Sequence, residues 1–324
     1  MLQLQPDAPI LVAGGADDPN LAALLETLAR EHVAVLPVLV GPGRDVAISW
    51  DLARDELRVD GRRCAPRAAF VRHDVFAHMA DGRQATAYRA RAWYTTITGW
   101  IAAHPEVRFL NRDAMDRAVN KAHALVLARS LGLSVPATLV SNELAVARRF
   151  PAAAQETDTS TAARTAPGDD EIAAPRETTG NIVKPVGGGD YCRRLDDVLE
   201  LVDARDGVAA APAIVQPELV PPELRVYGID GAFFGFELQS PALDYRTSRA
   251  TRVLPRPAPE QLCDGLARLM ARLGLRFAAA DFKTCPTTGE LLFLEINTGP
   301  MFAAFDRAAD AALTRAIAAF LTAS

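Results

Sequence analysis

The run LLFLEIN at residues 291–297 is where residue type and spacing come closest to chemistry. Side chains alternate across a strand, so Leu292, Leu294 and Ile296 are expected on one face and Glu295 and Asn297 on the other. Two oxygen-bearing side chains would then project together from the end of an otherwise apolar strand. Taken alone, such a pair also suits a strand emerging into solvent. Asp281, in the run AAADF, shifts the balance. An unpaired carboxylate among apolar neighbours is costly, and from a partner strand it would set a third oxygen donor beside the first two. Two carboxylates and an amide oxygen suit Mg²⁺, a hard cation that keeps several waters and is commonly completed by substrate phosphates.

Lys184 lies in a second apolar run, IVKP, and Gly187, Gly188 and Gly189 follow at once. A lysine on such a strand must find an anion or reach solvent. A glycine run lets backbone N–H groups approach phosphate oxygens, although flexible turns use the same residues. Lys121, midway along an expected helix, reads by itself as solvated surface. QPELV at 216–220 leaves an apolar strand in the way a linker presents backbone groups to an adenine edge, and Arg225 soon after is suited to a phosphate or a carboxylate. Asp244-Tyr245-Arg246, with Arg249 and Arg252 behind, forms a polar cluster that also reads as a loop held by internal ion pairs.

The elements that must position these residues alternate in type. Residues 9–40 read as strand, helix, strand, which implies a right-handed crossover onto a parallel sheet. Two short strands around Arg54-Asp55 and a further strand at 68–72 complete a small α/β region. Trp93, Ile97, Trp100 and Ile101 recur at helical intervals within 89–103 and predict a packed helix, inside one chain or across a homodimer. A long helix is expected over 112–131, closed by Gly132. Residues 151–180 are rich in Ala, Thr, Pro, Asp and Glu and read as a solvated loop. Beyond them come strands at 181–186, 213–216, 224–229 and 232–238, the last two joined across Asp230-Gly231. An amphipathic helix at 261–273, a strand pair at 277–282 and 291–297, and an Ala-rich helix at 306–321 follow.

Composition removes several alternatives. A chain of 324 residues suggests roughly two domains, and its net charge of −5 argues against a protein held to nucleic acid by charge. Apolar stretches fall short of a membrane span and the first residues lack a basic region, so neither an anchor nor a secretory signal is indicated. Four cysteines without a CxxC pair suit a reducing, cytoplasmic setting. HExxH and GxSxG are both absent, which disfavours zinc and serine hydrolysis. Gly14-Gly15 lacks the spaced glycines of a dinucleotide loop, so a dinucleotide oxidoreductase is a poor reading.

The order of these blocks resembles the ATP-grasp carboxylate–amine ligases. The matching pieces are NKAHALVLARSLGLSVPATLVSN, IVKPVGGG, IVQPELVPPELRVYGIDG and AAADFKTCPTTGELLFLEINTGP. Within that superfamily the chain is most similar to the graspetide (microviridin-type) peptide macrocyclases and to glutamate ligases acting on a ribosomal protein. The Glu223-Leu224-Arg225 strand, and Asp244-Tyr245-Arg246 ahead of Leu-Pro, carry that likeness, while Pro217 stands where many members have an acidic residue. The resemblance implies α/β and α+β architecture: an ATP-grasp fold with an N-terminal Rossmann-like pre-ATP-grasp domain at residues 1–110. The ATP-grasp domain would be residues 111–324, with a small subdomain at about 135–217 and a metal-binding subdomain at about 218–324.

It further implies ATP and two Mg²⁺ ions, an acylphosphate, and an amide or ester product. Lys121 and Lys184 would hold phosphates, Gly187, Gly188 and Gly189 would cover them, and Gln216, Glu218 and Leu219 would lie along adenine and ribose. Asp281, Glu295 and Asn297 would hold Mg²⁺. Arg225, with Arg246 and Arg252, would act on the reacting oxygens, and Asp244 and Arg246 would meet the substrate, a peptide in the first reading. Ligation of free amino acids and a non-catalytic nucleotide-binding module are the alternatives.

Overall fold

The computed structural model describes residues 8–41, 43, 46–115, 119–152, 180–187 and 191–323. The expected loop at 151–180, apart from its ends, and both Gly188 and Gly189 lie outside the described residues.

β1 (Ile10–Gly15), α1 (Pro19–Arg30) and β2 (Val35–Val40) form the expected crossover, and β1 and β2 pair in parallel. Asp18 starts α1 by accepting from the Asn20 amide, with Pro19 in the first turn, where its missing N–H costs nothing. An antiparallel meander follows, made of β3 (Ile48–Asp51), β4 (Glu56–Val59) and β5 (Arg62–Cys64). β6 (Ala68–Val71), α2 (Val75–Ala80), α3 (Gln84–Ala103) and β7 (Arg108–Phe109) complete a parallel sheet of order β2-β1-β6-β7. Helix α3 buries Ile97, Trp100 and Ile101 against that sheet, so the tryptophan-bearing helix packs within the chain.

The expected helix at 112–131 is broken. A 3₁₀ turn covers Arg112–Ala114, and α4 spans only Lys121–Ser130. Asn111 adopts a left-handed backbone (φ 60°) and Asn120 caps α4 by accepting from the His123 amide. Periodicity alone did not reveal either asparagine as a terminator.

The second sheet, antiparallel, gathers β8 (Leu139–Glu143), β9 (Asn181–Pro185), β10 (Arg193–Arg194), β11 (Ala204–Arg205) and β12 (Val208–Pro217). Its flanking helices are α5 (Leu144–Arg149) and α6 (Leu195–Leu199). A third, antiparallel sheet comprises β13 (Val220–Ile229), β14 (Ala232–Gln239), β15 (Arg252–Pro255), β16 (Phe277–Thr284) and β17 (Leu291–Asn297), in the order β15-β14-β13-β16-β17. Strand β13 begins four residues before its expected start, running through Pro221 and Pro222. The register against β16 shifts between Val220 and Glu223, which accommodates two residues without a donor.

One face of this third sheet packs Leu224, Val226, Ala278, Ala280 and Phe282 onto α4 and α7 (Glu260–Leu273). The opposite face divides. Tyr227, Ile229, Phe277 and Ala279 join Ile10, Val12, Leu24 and Phe70 of the first unit and Leu313 and Ile317 in a single core. The other half of that face is polar and lines a cleft. The expected terminal helix is two pieces, α8 (Ala303–Asp306) and α9 (Ala312–Thr322). Left-handed Asp310 and Ala311 separate them, and Asp306 accepts from the Leu313 amide at 2.7 Å to start the second.

Candidate active site

A cleft of about 580 Å³ lies between the second and third sheets. Its floor is the polar half-face. β13 contributes Glu223 and Arg225, β16 contributes Asp281 and Lys283, and β17 contributes Glu295 and Asn297. Antiparallel register sets Arg225 opposite Asp281, Glu223 opposite Lys283 and Asp281 opposite Glu295. Each cation thus comes to face a carboxylate without any sequence neighbourhood.

The alternation expected for 291–297 holds for Glu295 and Asn297 but not for the leucines. Between the 281/295 and 282/293 pairs β17 carries one extra residue, Leu294. This bulge turns Phe293 and Ile296 to the buried face and leaves Leu294 lining the cleft. The Leu294 carbonyl is thereby available to the Lys184 ammonium at 3.4 Å.

Asp281, Glu295 and Asn297 do converge. The Asn297 amide nitrogen lies 3.4 Å from both Asp281 Oδ2 and Glu295 Oε1. Arg225 Nη1 meets both oxygens of Asp281 at 2.8 and 2.9 Å, with both side chains under a tenth exposed. Burial pushes the Asp281 carboxyl up, Arg225 draws it back, and the outcome is about 6. Burial also acts against the Glu295 charge, but Lys121, at 3.0 Å, and Lys184 outweigh it and hold that carboxyl below its usual range. Burial lowers the Lys184 ammonium. Lys121 sits in the first turn of α4, where the Asn120 cap fixes the backbone behind it.

The remaining expected residues fall into three groups. Gln216 and Leu219 line the cleft, the former donating from its amide to Thr138 Oγ1 at 2.8 Å. Asp244 and Arg246 also line it, joined to one another, and Asp244 accepts from the Cys192 amide at 3.2 Å. Arg246 lies over the Tyr191 ring at 5.2 Å. Glu218 is instead bound by Arg194 through both oxygens at 3.0 Å. Gly187 is exposed beyond β9. Arg252 is exposed on β15 opposite Gln239 and does not line the cleft. Glu223, Lys283 and Tyr245 line it without having been assigned a role from sequence. Strand alternation with Arg225 and Asp281 is the signal that would have found the first two.

An antiparallel sheet with a polar half-face, a second sheet across the cleft from it and a parallel α/β unit in front constitute the ATP-grasp fold. Neither a family model nor a curated protein matches the chain. Among solved structures it is similar to the ATP-grasp ligase PsnB complexed with a minimal precursor, at 25% identity and a TM-score of 0.70 over 97% of this chain and 99% of that one. It is also similar to the macrocyclase MdnC of Microcystis aeruginosa bound with its precursor peptide MdnA, at 19% identity and TM-score 0.67, covering 98% and 100%. The VanG D-Ala:D-Ser ligase of Enterococcus faecalis follows the same fold at 16% identity and TM-score 0.58, covering 97% and 99%. PsnB is solved with Mg and ADP as well. The resemblance to peptide-modifying ATP-grasp ligases therefore extends over nearly the whole chain. No helix among the described residues is long and apolar enough to cross a membrane.

Proposed function

We propose that the protein is an ATP- and Mg²⁺-dependent ligase that joins a carboxylate to an amine or hydroxyl through an acylphosphate, acting on a peptide. The observation that carries this reading is the meeting of Asp281, Glu295 and Asn297 with Lys121 and Lys184 at one cleft. The donor set fits the ion: two carboxylates and an amide oxygen are hard ligands, and the half-buried lysines beside them suit phosphate. Lys121 and Lys184 would bind the phosphates, with the loop of Gly187, Gly188 and Gly189 over them. Gln216, Leu219 and, from the rim, Glu218 would border the nucleoside.

When bound, ATP supplies the phosphoryl group and Mg²⁺ offsets the charge that gathers on its oxygens. Arg225, fixed by Asp281 and by Tyr245 Oη at 3.1 Å, presents a preorganised positive charge to the acylphosphate oxygens. Asp244 orients Arg246 toward the substrate's entry. The neighbours bound to precursor peptides support a peptide as that substrate. The division into a pre-ATP-grasp unit at 1–110 and an ATP-grasp unit at 111–324 is part of the same proposal, as is a cytoplasmic setting.

The test is ADP and phosphate release from ATP-Mg²⁺ with pools of Asp/Glu-rich peptides carrying Lys, Ser or Thr and, separately, with free amino acids. Peptide-dependent ADP formation, with product lighter by one water per bond, is expected, and Glu295→Gln should reduce it by about 10²-fold or more. Turnover with free amino acids only would make the protein a small-molecule ligase. Nucleotide binding without turnover in either pool would make it a non-catalytic module.

A further inference from the structure

A ligation of this kind needs a group to take a proton from the nucleophile, since an amine or hydroxyl that attacks an acyl carbon must lose one. Four carboxylates line the cleft among the described residues: Glu223, Asp244, Asp281 and Glu295. Three are tightly held by cations. Arg225 reaches Asp281 at 2.8 Å, Arg246 reaches Asp244 at 2.5 Å, and Lys121 reaches Glu295 at 3.0 Å. Among the described residues Glu223 has only Lys283, at 3.6 Å. That lysine also donates to the Leu243 carbonyl at 3.2 Å.

Resting on the ligase reading, we infer that Glu223 is the proton acceptor for the attacking amine or hydroxyl, because it shares the sheet face of Arg225 and is the cleft carboxylate least bound by a cation. Two residues along β13 from Arg225, it projects on the same side of the strand, so a group that Arg225 holds by its acyl oxygens lies within the same half-face. The charged and titratable groups facing it are Lys283 and Asp281 on β16, Arg225 on its own strand, and Asp244 and Tyr245 from the segment before β15. Burial, only partly countered by Lys283 and reinforced by Asp281 and Asp244, raises the Glu223 carboxyl to about 7, the range in which a carboxylate both ionises and accepts protons effectively near neutrality.

In the step itself, the nucleophile's nitrogen or oxygen bonds to the acyl carbon. The bond from that carbon to the phosphate oxygen breaks, its electron pair leaving with phosphate. The proton released by the nucleophile passes to a Glu223 carboxylate oxygen and thence to solvent.

Glu223→Gln separates this role from those of its neighbours. With a peptide that the wild-type chain turns over, the variant should lose bond formation by about 10²- to 10³-fold. Hydroxylamine, already neutral and reactive, should still trap the activated carboxylate as a hydroxamate, with ADP formation within about threefold of wild type. The wild-type ligation rate should rise with pH through about 7, and the variant's should not. Lys283→Met removes the cation paired with Glu223, so it should move that inflection to higher pH. This variant also serves if Glu223→Gln does not fold. Retained ligation in Glu223→Gln, loss of hydroxamate together with ligation, or an inflection unmoved in Lys283→Met would each overturn the assignment. Wild-type chain that forms neither ADP nor hydroxamate with any pool would instead overturn the ligase reading, and this assignment with it.

Discussion

Glu223 carries a consequence for stability that is opposite in sign to the usual carboxylate. Most native carboxylates are paired, titrate below their unfolded values and stabilise the fold as pH rises. Glu223 is raised from 4.5 to about 7 by burial, so between those values the folded chain binds more protons than the unfolded one. Stability from this group is therefore fully present below about 4.5 and is lost as pH rises through about 7. Glu223→Gln keeps the shape and removes the charge. Its melting temperature is expected to exceed that of wild type by roughly 1–3 °C at pH 8 and to match it near pH 4.5. Differential scanning calorimetry at the two pH values checks this, and an equal shift at both would show that packing rather than ionisation was responsible. A residue that costs stability while lining a cleft is what a functional carboxylate looks like energetically.

At the scale of the element, the cleft depends on helix starts and strand irregularities as much as on strands. Lys121 reaches Glu295 because α4 begins at Lys121, and α4 begins there because Asn120 caps it. Asn120→Ala should cost about 1 kcal/mol in urea unfolding. It should also raise the apparent Kd for ATP-Mg²⁺ several-fold by loosening the first turn. Isothermal titration of nucleotide into wild type and Asn120→Ala checks this, and unchanged affinity in the variant would count against a phosphate role for Lys121. The same scale shows what could be read in advance. The convergence of Asp281, Glu295 and Asn297 was legible because each sits in an apolar run where an oxygen must have a purpose. Strand types and the Asp230-Gly231 turn were legible from period and composition, and the turn's two left-handed residues bear this out. The break at Asn111–Asn120, the bulge at Leu294 and the entry of β13 through Pro221 and Pro222 were not. Each is set by partners distant in sequence: Asn111, for one, donates to the Phe277 and Thr298 carbonyls and accepts from the Arg276 and Phe277 amides.

Across the whole molecule, the first α/β unit is fastened to the segment that follows β17. Asn20 Oδ1 accepts from the Phe302 and Ala303 amides at 2.7 and 2.8 Å. Arg72, 6% exposed, pairs with fully buried Asp18 at 2.7 Å and donates to the Pro300 carbonyl at 2.9 Å. These ties lie above the core in which Ile10, Leu24 and Phe70 pack against Tyr227, Phe302 and Ile317. No pairing of this kind is visible in sequence, because Asp18 suits an ordinary strand-to-helix turn and Arg72 the polar end of a strand until residues 299–303 are laid over them. The physical consequence is that the unit bearing the tryptophans and the sheet bearing the cleft should unfold together. Trp50, Trp93 and Trp100 all belong to the first unit, so their fluorescence reports it selectively, while amide exchange in β16 reports the cleft floor. Arg72→Met leaves the Asp18 charge buried without its partner and should cost about 3–5 kcal/mol. If the core is shared as its packing indicates, that substitution lowers the fluorescence midpoint in urea and the protection of the β16 amides by the same free energy. Loss confined to the fluorescence transition would mean that the two units hold their stability separately, and that the cleft does not depend on the α/β unit for its shape.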